Sequence, residues 1–262
     1  MLKKFTVFCI FILFSFSQAA CIPLNGSGYD SVNYMAGKTP PEPKKTGPVT
    51  HKLDKGLKST VRIIVKPDTK SLIESYEIAS GFAMDWGQIL TCYHALSRVS
   101  QEKGVVTVNI QGKDHRAKII KKNKDLDYAL LQIDERVGLG YLKTSTIYNV
   151  GDTVYCAGFP FANIYSQQYG KNIPVSLTSG IISGLKRKIK YGKRNFDNMI
   201  QVDAYCQKGN SGGPVFNKRM EVIGMVNFTC SYADNRGSEV WNGATFATPI
   251  DLILRDIKAL KK

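Results

Sequence analysis

Short runs rich in β-branched residues, each closed by turn residues, recur along most of this chain and leave few folds open to it. Runs at 61–65, 88–91, 105–110, 118–120 and 129–133 are separated by turns such as Asp85-Trp86-Gly87 and Gln111-Gly112-Lys113-Asp114. β-Branched side chains suit a pleated, half-buried surface, and Gly/Asp punctuation at this spacing closes antiparallel hairpins. A second set follows at 153–157, 175–177, 180–183, 199–202, 222–227 and 244–247. Two sets of about six strands predict an all-β fold of two small antiparallel barrels, over about 57–140 and about 146–248. The chain then turns helical over 249–261, where Ile250, Ile253, Leu254 and Ile257 recur at helical spacing behind Pro249 and Asp251. No internal repeat is visible.

At 262 residues with 43% hydrophobic residues the chain can bury a substantial core, which excludes a disordered protein and fits one to two compact units. Lys plus Arg number 36 against 21 Asp plus Glu, a net +15, so an acidic surface or polymer is a conceivable partner. No DNA- or RNA-binding signature accompanies the charge, and no nucleic-acid partner is expected. The densest basic stretch, Lys186-Arg187-Lys188-Ile189-Lys190 with Lys193-Arg194, lies near Gly184 and Gly192 and predicts a solvated loop.

Residues 1–20 read as an export signal: Lys3 and Lys4, an apolar run over 5–16, then Ser17-Gln18-Ala19-Ala20. The run is short for a membrane span, which needs about 20 apolar residues. Cys21 follows directly and resembles the lipidated cysteine of bacterial lipoproteins, with Gln18 departing from the usual aliphatic residue. Attachment to a membrane through a lipid on Cys21 and ordinary secretion both stay open, in the bacterial periplasm, at the outer membrane or outside the cell. Residues 21–56, punctuated by Gly26, Gly28, Pro40, Pro41, Pro43, Gly47 and Pro48, read as a tether that includes His51. Removal of Cys9 with the signal and lipidation of Cys21 leave Cys92, Cys156, Cys206 and Cys230. The expected disulfide is Cys206 with Cys230, with Cys92 and Cys156 as buried thiols.

Gly209-Asn210-Ser211-Gly212-Gly213-Pro214 holds a serine in a sharp glycine turn, where its hydroxyl can face a reacting carbonyl and backbone N–H groups can converge on the developing oxyanion. A serine hydroxyl needs a base. Of three histidines, His51 lies in the tether and His115 on a charged hairpin edge, whereas His94 ends the second strand of a hairpin over 80–95. The base needs a carboxylate to hold its tautomer. Asp127 immediately precedes an apolar run and is expected to point inward, whereas Asp125 lies further into a lysine-rich turn.

Ile89-Leu90-Thr91-Cys92-Tyr93-His94-Ala95, Asp127-Tyr128-Ala129-Leu130-Leu131 and the serine hexapeptide resemble, in that order, three motifs of trypsin-like serine proteases of the HtrA (Deg) type. The resemblance covers about residues 57–262. It implies paired barrels with a catalytic triad of His94, Asp127 and Ser211 between them, and an oxyanion hole from the N–H groups of Gly209 and Ser211. It also implies protein or peptide substrates and no metal or organic cofactor. Family members usually continue into a peptide-binding PDZ domain; this sequence ends at Lys262, so a stand-alone protease domain is expected. The substrate pocket is expected at 205–208 and at Asn227-Phe228-Thr229, with Tyr205 and Lys208 among its walls. No acid stands there to select Lys or Arg, so a small or medium apolar side chain is expected, with Phe228 limiting depth. Lys208 is either a solvated rim lysine or an attraction for acidic substrate residues. The alternative from another class is a catalytically silent protease-fold protein acting in binding or as a chaperone. Oligomeric state is not legible.

Overall fold

The structure, a computed structural model, describes residues 47–66, 76–85, 87–97, 99, 105–133, 139–191, 194–233 and 239–259. The export signal and Cys21 lie outside them. The unit that carries every described residue spans 45–262.

Six strands close the first barrel: β1 (Thr60–Lys66), β2 (Glu77–Asp85), β3 (Gln88–Cys92), β4 (Val105–Ile110), β5 (Lys113–Asn123) and β6 (Tyr128–Ile133), in the order β1-β2-β3-β6-β5-β4. Six more close the second: β7 (Thr153–Gly158), β8 (Ser176–Tyr191), β9 (Arg194–Val202), β10 (Pro214–Asn217), β11 (Val222–Ala233) and β12 (Glu239–Pro249), in the order β10-β11-β12-β9-β8-β7. All pairings within the barrels are antiparallel. Closure removes the open sheet edges on which strands aggregate. Ile63, Ile89 and Leu131 point into the first interior, while Phe82 and Leu90 lie buried on the opposite face of the same strands, and burying each contributes about 1.5–3 kcal/mol. Phe216 and Met225 of the second barrel pack into the same core, as do Ile250 and Ile253 of the closing helix α3 (Ile250–Lys258), and a short helix α2 (Ala162–Tyr169) lies between β7 and β8. Val154, Ile200, Val202, Val215 and Ala247 fill the second interior.

The paired barrels and closing helix follow the sequence reading, and three local expectations are corrected. The last ten residues of the expected tether, 47–56, are helical, in α1 (Gly47–Lys58). Pro48 is tolerated in a first turn, where N–H groups have no intrahelical partner. Leu57 packs against the barrel, and Asp54 pairs with Lys58 at 2.7 Å. The basic stretch is not a loop: 186–190 continue β8 and Arg194 begins β9. The hairpin continues because Ile189 and Phe196, paired across it, join one hydrophobic cluster. The expected Cys206–Cys230 disulfide is absent, and Cys92, Cys156, Cys206 and Cys230 are all thiols. Cys206 faces the second core, where it hydrogen-bonds to Cys156, whereas Cys230 belongs to a different cluster with Phe196 and Phe246.

Candidate active site

Asp127 organises the site. It closes the turn between β5 and β6, where Asn123 Oδ1 accepts the amides of Asp125 and Leu126, both at 3.0 Å. Its backbone is left-handed at φ 54°, an uncommon state for a residue other than glycine. The Asp127 carbonyl accepts the Tyr93 amide at 3.0 Å, which docks the end of the β2–β3 hairpin onto this turn. Asp127 is 1% exposed, whereas Asp125 is exposed.

Four donors reach the buried carboxylate. The His94 amide, at 3.0 Å, and Arg194 Nη1, at 2.9 Å, donate to Oδ1. His94 Nδ1, at 2.7 Å, and Asn227 Nδ2, at 3.0 Å, donate to Oδ2. Burial pushes this carboxyl up, but the bond from His94 and its charge, then Asn227 and Arg194, outweigh it and hold Asp127 below the ordinary carboxylate range. An ionised carboxylate only accepts, so His94 Nδ1 carries the proton that faces it, and in the neutral imidazole this makes Nε2 the acceptor.

Ser211 lies on the turn entering β10. The Ser80 amide donates to its carbonyl at 2.8 Å, and the Ser211 hydroxyl donates to the Asn227 carbonyl at 3.0 Å rather than to His94. Glycine is required on both sides. Gly209 has φ 105° and Gly212 φ 87°, and added Cβ atoms would lie 2.3 Å from the Phe159 carbonyl oxygen and 2.2 Å from that of Ser80. Ser80 Oγ accepts the Phe159 amide at 3.0 Å and donates to the Gly209 carbonyl at 2.7 Å, so one hydroxyl of the first barrel clamps the serine turn of the second. Among the described residues the amides of Gly209 and Ser211 donate to no protein acceptor. His94 and Ser211 both line one cleft of about 390 Å³, together with Ile78, Phe161, Lys208 and Gly209.

The other wall residues named from the sequence go elsewhere. Tyr205 is 44% exposed, and its hydroxyl accepts Gln207 Nε2. Asn227 is fully buried; besides Asp127 it serves Thr248, whose amide donates to Asn227 Oδ1 at 2.8 Å. Phe228 stacks on Phe196 and Phe246, with centroids 5.3 and 5.5 Å away, and Thr229 lies opposite Thr245. Of the five only Lys208 lines the cleft. His115, in β5, is buried. Ser80 and Arg194 escaped the sequence reading: Ser80 is one hydroxyl in a strand, and Arg194 is hidden in a charge run.

Cys92, His94 and Asp127 bring potential metal donors within 4.8 Å of one another. They fit a metal poorly. Both carboxylate oxygens already accept two hydrogen bonds, Arg194 adds a positive charge, and burial, with the charge of Asp127, holds the Cys92 thiol protonated.

A histidine tied to a buried aspartate, with a glycine-bound serine on the same cleft between two barrels, is an arrangement that trypsin-like peptidases also have, and residues 79–225 match the model of the trypsin-like peptidase domain. The chain belongs to that family. It is 35% identical over 196 residues to the probable periplasmic serine endoprotease DegP-like of Rickettsia conorii, covering 72% of this chain and 35% of that protein. It is 30% identical over 194 residues to the chloroplastic Protease Do-like 5 of Arabidopsis thaliana, covering 69% of this chain and 56% of that protein. The chain thus spans about a third of the bacterial relative's length. Among solved structures, the HtrA-type protease AlgW with tripeptide shares the fold, at a TM-score of 0.64 and 21% identity over 82% of this chain and 64% of that one. Among the described residues no helix is long and apolar enough to cross a membrane.

Proposed function

We propose that this chain is an exported serine endopeptidase that hydrolyses exposed or unfolded protein segments through Ser211, His94 and Asp127. One observation carries the reading: His94 and Ser211 line the same cleft while the other face of His94 is tied to a buried carboxylate. Ser211 Oγ attacks the scissile carbonyl carbon as His94 Nε2 takes its proton. Asp127 holds the Nδ1–H tautomer and stabilises the imidazolium. The carbonyl oxygen gathers negative charge against the amides of Gly209 and Ser211; losing one such donor costs about 2.7–4 kcal/mol in a well-studied protease. The tetrahedral intermediate collapses as His94 protonates the leaving amine, and water then cleaves the acyl-enzyme with His94 again as base. In the resting arrangement the Ser211 hydroxyl bonds to Asn227. Attack therefore requires it to exchange that acceptor for His94. Small or medium apolar side chains remain the proposed specificity. The periplasmic names of the bacterial relatives support export, with Cys21 as the proposed lipid attachment point.

That resting bond to the Asn227 carbonyl also favours a second reading, a catalytically silent binding protein of the same fold. Cleavage of unfolded casein by wild type and Ser211→Ala, with fluorophosphonate labelling of both, separates the two. The expected result is turnover and labelling that Ser211→Ala abolishes. Equal turnover, or an unlabelled wild type without turnover, overturns the endopeptidase.

A further inference from the structure

Arg194 stands apart from the basic stretch that contains it. Lys186, Arg187, Lys188 and Lys190 are exposed, and among the described residues none has an ion-pair partner. Arg194 turns inward, its side chain 23% exposed, and Nη1 meets Asp127 Oδ1 at 2.9 Å. Its other terminal nitrogen, Nη2, donates to the Lys124 carbonyl, and the guanidinium lies 4.5 Å from the centroid of Phe196 and 5.8 Å from that of Tyr93. Two aromatic faces and a carbonyl thus hold a permanently charged, planar donor in one orientation. It occupies the carboxylate oxygen that His94 Nδ1 does not use.

We propose that Arg194 is a positioning residue for the reaction proposed above: it fixes the Asp127 carboxylate and offsets part of its negative charge, setting the pH range over which the His94–Asp127 pair works. The inference rests on the endopeptidase reading. Among the described residues the titratable groups facing Asp127 are His94 from the turn after β3, Cys92 from β3 and Arg194 from β9; Asn227, from β11, is neutral. Arg194 is therefore the permanent cation at this carboxylate. With Arg194 and Asp127 both charged, protonating His94 leaves the trio at net +1; without Arg194 the same step ends at zero. Removing the cation favours the protonated pair, so the acid limb of the activity profile moves to higher pH. Removing the donor also loosens the carboxylate, which lowers kcat more than it raises KM.

The test compares full-length wild type, Arg194→Met, Arg194→Lys, Arg194→Ala and Ser211→Ala on an uncharged chromogenic peptide between pH 5 and 9. For Arg194→Met the expected result is a kcat about tenfold lower with KM within about twofold, and an acid limb of kcat/KM raised by roughly half to one pH unit. Arg194→Lys, which keeps the charge but loses the planar fork, returns the limb toward wild type. Millimolar guanidinium raises the rate of Arg194→Ala where equal sodium chloride does not. An Arg194→Met enzyme with an unmoved limb overturns the proposal. So does a loss that is uniform across pH and is relieved by neither Lys nor guanidinium, which is the signature of a merely structural arginine. If wild type does not exceed Ser211→Ala, the endopeptidase reading fails and Arg194 falls with it. If wild type exceeds Ser211→Ala while the arginine variants contradict expectation, only the Arg194 proposal fails.

Discussion

A carboxylate at 1% exposure survives inside this protein because four donors converge on it, and each arrives with its own structural commitment. The His94 amide and ring come together from one residue, so the turn that seats His94 also aims it. Asn227 is the most constrained of the four. Its amide nitrogen serves Asp127 while its oxygen accepts the Thr248 amide at 2.8 Å, which fixes the side chain's flip and ties β11 and β12 to the first barrel's turn. Sequence reading assigns Asn227 to a pocket wall because only its neighbours along the strand are visible there. Replacing it with Leu leaves a buried carboxylate oxygen and a backbone N–H short of a partner. The expected loss is about 1–3 kcal/mol of stability, read from the urea midpoint at pH 7. A midpoint equal to wild type would show that the bonds to Asn227 contribute nothing net.

At the scale of elements, strand number was legible but strand identity was not. Runs 175–177 and 180–183, which the sequence separates at Thr178-Ser179, join in one strand, β8, while β10 (Pro214–Asn217) lies hidden behind the serine turn. Merging two and adding one leaves six in the barrel. Helix α3 has a consequence that its periodicity alone does not reveal. Its Asp256 accepts from Lys121 Nζ at 2.6 Å, Asn123 Nδ2 at 3.0 Å and the Tyr128 hydroxyl, so the helix grips β5 and the residue next to Asp127. Burial, then the Asp256 hydrogen bond, keeps the Tyr128 phenol neutral by pushing it far above its ordinary range. Asp256→Ala is expected to destabilise the protein by about 1–3 kcal/mol. It is also expected to speed amide exchange in α3 and at the start of β6. Faster exchange in α3 alone would mean that the helix does not brace the Asp127 turn.

For the whole molecule the shifted groups set a pH window. Asp127, Asp114 and Asp256 sit below the ordinary range because their donors outweigh burial, and Glu221 is held down by Arg219 and Asn217. A carboxyl lowered on folding contributes stability that is present above its unfolded pKa, about 3.9–4.3, and is lost as pH falls through its folded value. Tyr128 and the buried Cys92 and Cys156 are raised, so their contribution is present below their unfolded values, about 8.5–10, and is lost as pH rises. Urea midpoints measured from pH 3 to 10 are expected to form a plateau between about pH 5 and 8 and to fall on both sides; a maximum at pH 3 would refute it. By itself the sequence determined the two barrels, the closing helix, and His94, Asp127 and Ser211 as candidates. Those features are written locally, in strand-length apolar runs, a glycine-bound serine and a choice among three histidines. Only the tertiary structure decided that Asn227, Arg194 and Ser80 join them and that Cys206 meets Cys156. Their hydrogen bonds span 100 residues for Asn227 to Asp127, 67 for Arg194 to Asp127 and 129 for Ser80 to Gly209. No periodicity or turn signal reaches so far; such partners meet only when both barrels have closed.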